Sequence, residues 1–129
     1  MRIKTCTLWA PAITTALFRA TYLPLVKSGD IGRFALFQLD DRTERDDNCA
    51  GIYHKSLLYL VSNAFEDRRG EALLGMQKHV DADSAIRALF ASTADRVIAP
   101  TSGLPHGNPA ASEAKHHADF DDDEATART

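Results

Sequence analysis

The chain is predicted to be an α/β protein, a partial three-layer α/β/α unit with about three parallel strands. Three observations carry this expectation. An extended segment, a helical one and a second extended segment follow one another within the first 39 residues. The second extended segment, FALFQL, is almost continuously apolar, as expected of a strand buried on both faces. A broad amphipathic helix follows it, and a strand, helix, strand order implies a right-handed parallel crossover.

Residues 5–9, TCTLW, are rich in types that favour extended backbone, and the strand is predicted to stop at Ala10-Pro11 because proline cannot donate to a ladder. From residue 14 to about 27, Leu17, Phe18, Leu25 and Val26 recur at helical spacing. Thr14 is the expected cap, Pro24 a kink and Ser28-Gly29 the stop. Residues 34–39 form the buried strand, and Asp40-Asp41 stand at its carboxyl end. After a charged loop, Leu57, Leu58, Leu60, Val61, Ala64 and Phe65 predict a helix with one wide apolar face. Residues 73–76 read as a short apolar link. Asp83 or Ser84 is expected to cap a helix through Ile86, Leu89 and Phe90, and residues 96–99 to make the third strand. Glycine, proline and serine mark 100–112 as a loop, and Asp121 with Glu124 suggests a capping box for a last helical turn. The expected division is a partial domain over 1–100, with 101–129 a loop and His/Asp-rich tail of the same domain.

Composition narrows the functional classes. A length of 129 residues suits one domain with a single core. A formal net charge of −3, with acids and bases interleaved, gives no footprint for nucleic acid or an anionic membrane. No segment approaches the roughly 18 apolar residues of a membrane span, and Pro11 interrupts the only candidate for a leader. Cys6 and Cys49 have no metal-ligand spacing and are too few for a disulfide framework, so a cytoplasmic setting is expected.

Three constellations could carry chemistry. Asp40, Asp41, Glu44, Asp46 and Asp47 follow the central strand, interleaved with Arg42 and Arg45. They read either as a solvated loop or as the source of one held acid, which would fix a histidine tautomer. His116 and His117 lie in the tail, and His117 is the candidate general base because an imidazole titrates near neutrality. Adjacent histidines without an i, i+4 partner argue against a metal site, and no cofactor is expected. Tyr53-His54-Lys55-Ser56 leads into the amphipathic helix, with Ser56 read most simply as its cap. Cys49 sits among acids that disfavour a thiolate, so a cysteine nucleophile is not expected.

The segment from TLWAPAITT through LDDRTERDDNCAGIYHKSLLYLVSNAFEDR resembles the C-terminal half of a group of bacterial α/β-hydrolase-like proteins, and HADFDDDEAT resembles their His-Gly-Gly-Phe-Asp-Asp motif. The resemblance implies the C-terminal portion of an α/β-hydrolase fold, in which acid and histidine follow the nucleophile in chain order. By the same analogy Asp41 takes the acid position, with Asp40 its rival, and His117 the histidine position. Ala118 and Asp119 replace the two glycines of the motif. No serine has the G-x-S-x-G setting of a nucleophile elbow, so the chain is expected to be a truncated hydrolase half, inactive alone and with Met1 plausibly internal to a longer protein. The strand at 5–9 would then expose an edge to a complementing polypeptide or to self-association. The alternative is a non-catalytic α/β interaction module or degenerate remnant whose acids are merely solvated.

Overall fold

The computed structural model describes residues 2–47, 56–65, 69–101 and 112–122. Tyr53, His54, Lys55, Cys49 and Glu124, named above, lie outside the described residues. The chain runs β1 (Ile3–Trp9), α1 (Thr15–Ser28), β2 (Ile31–Leu39), α2 (Asp41–Asp46), α3 (Leu57–Leu60), α4 (Gln77–Ala82), α5 (Ser84–Ser92), β3 (Asp95–Ala99) and α6 (Asp119–Asp122). Helix α3 continues into a π-helical turn over Val61–Phe65.

The three strands form one parallel sheet in the order β1-β2-β3, as the sequence predicts. Trp9 pairs with Phe37 across the first ladder and Leu39 with Ala99 across the second, so the carboxyl ends of the strands share one edge of the molecule. Alternation along β2 splits its side chains between two cores. Phe34 and Leu36 pack with Phe18 and Val26 of α1 and with Ile86 and Leu89 of α5. Ala35, Phe37 and Leu39 pack on the other face with Leu58 and Tyr59 of α3 and with Phe120 of the tail. The polar break in β2, Gln38, is fully buried but satisfied: its Nε2 donates to Leu74 O at 2.5 Å and its Oε1 accepts from Arg96 Nε at 2.7 Å.

Local chemistry explains the helix ends. Thr14 caps α1 by accepting from Leu17 N, and Gly29 closes it at φ 81°, a left-handed conformation that suits a residue without Cβ. Pro24 lies inside α1 without ending it. Within α1, Phe18 and Val26 are buried as expected, whereas Leu17 and Leu25 are exposed and Leu23 takes a core place. Asp83 caps α5 through Ala85 N and Ile86 N. The predicted apolar link at 73–76 instead leads into a separate short helix, α4, capped by no side chain.

The face of α3 also departs from expectation. Leu57 is exposed, while Leu58, Tyr59 and Ser62 are buried. The π-turn over Val61–Phe65 adds a residue to the turn and rotates the phase that a regular helix of these residues would keep. The tail is part of the same core: Ala114 and Phe120 are buried, and Phe120 meets Phe37 edge-on at 6.3 Å between ring centroids. Its last helical turn starts at Asp119, two residues before the predicted capping box.

Candidate functional site

The acids after β2 are helical rather than looped. Asp40 Oδ1 accepts from Thr43 N at 2.6 Å and thereby caps α2, while its own N–H donates to Ala99 O at 2.8 Å. That cap consumes Asp40, and the helix then sorts the remaining acids by face.

Asp41 does not reach the tail. Its Oδ1 accepts from Tyr59 Oη at 2.9 Å, its Oδ2 meets Arg45 at 2.6 Å, and its N–H donates to Gln77 Oε1 at 2.8 Å. Tyr59 Oη also accepts from Arg45 Nε at 3.2 Å and from Lys78 Nζ at 3.3 Å, with the ammonium 4.3 Å from the ring centroid. Tyr59 is thus the centre of a charged cluster beside β2. Tyr59 stands off the apolar positions that predict the helix, and the sequence signal for it is a lone tyrosine among leucines, a ring that buries with a polar tip.

The acid that meets His117 is Glu44, where the resemblance assigns Asp41. Glu44 is buried, and its Oε1 accepts from His117 Nε2 at 2.9 Å and from the Ser56 hydroxyl. Ser56 also accepts from Tyr59 N, so the predicted cap of α3 is present and tied to the same carboxylate. Glu44 Oε2 has no hydrogen-bond partner among the described residues.

Three residues along the chain from Glu44, Asp47 meets the neighbouring histidine. Asp47 Oδ1 accepts from His116 Nδ1 at 2.8 Å, and the pair borders a cleft of about 290 Å³ lined also by Thr43, Asp46, Pro100 and Lys115. Asp47 is nearly buried, but the His116 side chain is 61% exposed, leaving Nε2 without a partner among the described residues. The Asp47 bond raises the His116 pKa, with burial opposing it slightly. The loop that presents both histidines is held by Asp119 Oδ2, which accepts from Lys115 N and His116 N at 2.9 Å each.

Backbone geometry makes this double match possible. His116 and His117 open a turn closed by Asp119 N donating to His116 O at 3.1 Å, and the two rings meet different acids, Asp47 at the C-cap of α2 and Glu44 within it. The orientation of His116, with the acid on Nδ1 and Nε2 beside a cleft, is that of a histidine poised for proton transfer. His117 has the reverse orientation.

A further histidine, His79, was not singled out from sequence. Its Nδ1 accepts from Leu73 N at 2.9 Å, and burial, with Lys78 nearby, pushes its pKa down. It serves the turn before α4.

Among the described residues no group of three or more His, Cys, Asp and Glu is placed to hold a metal ion, and no helix is long and apolar enough to cross a membrane. Neither protein-family models, nor curated proteins, nor solved structures gave a match to this chain.

Proposed function

We propose that this chain provides the acid–histidine half of a serine hydrolase site of esterase or lipase type, in a cytoplasmic protein. The observation that carries the reading is the His116–Asp47 pair at the carboxyl ends of the strands, where ligands of open α/β sheets bind. Asp47 holds the Nδ1 proton and would stabilise the imidazolium. His116 Nε2 would take the proton of a serine hydroxyl supplied by a complementing polypeptide as that oxygen attacks the ester carbonyl. The same proton then passes to the departing alcohol, and water repeats the sequence to release the acid. His117, the histidine position of the resemblance, acts in this reading with Glu44 as the buried clamp that fixes the loop. Without a nucleophile and oxyanion hole the chain alone is expected to give no turnover.

The test is fluorophosphonate labelling of a serine in the polypeptide encoded immediately upstream, co-expressed with this chain. Loss of labelling on His116→Ala supports His116 as base. Labelling unchanged in His116→Ala sinks His116 as the base, and labelling indifferent to both His116→Ala and His117→Ala sinks the hydrolase reading.

A second reading is a non-catalytic α/β module. It is favoured by the fact that Asp40, Asp41 and Glu44 each hold a structural contact within the chain. Under this reading the substitutions move thermal stability and nothing else.

A further inference from the structure

A second cleft, of about 290 Å³, lies on the face of the sheet covered by α1 and α5 and shares no lining residue, among the described residues, with the one beside His116. Helix α1 leaves the carboxyl end of β1, and α5 runs back to the amino end of β3. Both helices therefore begin on the carboxyl edge of the sheet, where open α/β folds bind ligands. Thr15 and Arg19 of α1, His79 of α4, and Asp83 and Ser84 at the start of α5 line the cleft, and Arg19 Nη1 ties the two helix starts by lying 2.9 Å from Asp83 Oδ2.

The one carboxylate among these groups is spent. Asp83 Oδ1 accepts from Ala85 N and Ile86 N, and Oδ2 accepts from Arg19. The donors are not spent. Arg19 gives Asp83 one of its five guanidinium N–H groups, and the others have no acceptor among the described residues. His79 Nδ1 accepts from Leu73 N at 2.9 Å, so the neutral ring carries its hydrogen on Nε2, again without an acceptor among the described residues. Burial, with Lys78 nearby, pushes the His79 pKa down and favours that neutral ring.

Thr15 points to an occupant independently of the helix ends. It is 5% exposed, yet its hydroxyl has no hydrogen-bond partner among the described residues. The side-chain polar atom that is both sealed from solvent and unpartnered among the described residues is Glu44 Oε2, so the Thr15 hydroxyl opens on the cleft that its residue lines. No acid stands in the first turn of α1, which leaves the positive end of its dipole uncompensated on the same side. A guanidinium and an Nε2–H can only donate, so the occupant has to present acceptors.

We propose that this cleft binds a small oxyanion, a phosphate or carboxylate group, held by Arg19, the Nε2–H of His79 and the hydroxyls of Thr15 and Ser84. Asp83 sets the strength of the site, because one guanidinium is divided between it and the ligand. A Kd of about 1 mM is expected.

The test is an NMR titration of the whole chain at pH 7.5 with sodium phosphate and, separately, sodium acetate, against sodium chloride at matched ionic strength. Saturable shifts are expected at the Thr15 and Ser84 amides and the His79 ring, and the anion that binds more tightly names the oxyanion class. Arg19→Gln is expected to weaken binding about tenfold or more. Thr15→Val keeps the shape, removes the hydroxyl and is expected to weaken binding about threefold to tenfold, with far-UV spectra unchanged in both variants. Shifts no larger than those of chloride, shifts centred on Lys115 and His116, or an affinity that neither substitution changes overturn the proposal. Serine labelling plays no part in these readouts, so they are independent of the hydrolase reading.

Discussion

Glu44→Ala separates the acid that holds the tail from the acid that sequence analogy points to. The carboxylate is 1% exposed and its Oε1 is the acceptor for both Ser56, itself buried, and the half-buried edge of His117. Its removal strands two donors, each costing about 1–3 kcal/mol when left unsatisfied away from water. Relief of the partnerless Oε2 offsets part of this. A net loss of about 3 kcal/mol is expected, a large fraction of the roughly 5–15 kcal/mol that holds a domain together. Urea denaturation followed by circular dichroism measures it. A double-mutant cycle with His117→Ala is expected to return a coupling of about 1–2 kcal/mol, and Glu44→Gln, which keeps the volume, should lose less than Glu44→Ala. Asp41→Ala, which removes a half-exposed partner of Arg45 and Tyr59, should cost much less and show no coupling to His117. A loss from Glu44→Ala below about 1 kcal/mol, or a coupling of His117 to Asp41 instead, would refute the assignment.

Phe120→Ala should cost about 3–5 kcal/mol by opening a cavity against Phe37, and histidine NMR shifts of His116 and His117 should move toward free values as the tail loosens. His116 titrates above its unfolded value, so its contribution is full below about pH 6.5 and is lost as pH rises through the raised folded pKa; NMR titration should show that pKa fall in Asp47→Asn. His79 has the opposite sign: its folded pKa is lowered, so its stability is present above about pH 6.5 and lost as pH falls through the folded value, a trend that His79→Gln should remove from urea curves. Gly75→Ala should destabilise by about 1–3 kcal/mol in thermal melts, because a Cβ there would lie 2.5 Å from Pro11 O and 2.6 Å from Leu58 Cδ1.

The parallel sheet was legible because its strongest signal, the apolar run through Phe34 to Leu39, depends on burial alone and carries no competing turn chemistry. The caps at Thr14, Ser56 and Asp83 were legible for the same local reason. What escaped depends on neighbours distant in sequence. α2 is a six-residue helix of charged residues with no apolar period, held by the Asp40 cap and by the burial of Glu44 against Ser56 and His117. A charged run with no apolar period reads as a loop, and within it the resemblance alone singles out Asp41. In a helix the choice is made by face, which turns Asp41 to Tyr59 and brings Glu44 and Asp47 to the tail.

The tail is docked by two anchors of different kinds, and that difference decides how its histidines can be tested. Phe120 and Ala114 attach it through apolar burial, while the Glu44–His117 bond attaches it through a carboxylate that is itself buried. Removing any of these changes stability and site geometry together, so a lost activity in those variants cannot distinguish a base from a brace. His116 differs because its ring is exposed and its partner Asp47 also closes α2 through its own N–H to Thr43 O at 3.0 Å. The imidazole can therefore be deleted while α2 and the buried clamp remain. A pair that contributes little to docking yet keeps a carboxylate on Nδ1 beside a cleft can therefore be tested for proton transfer without disturbing the fold.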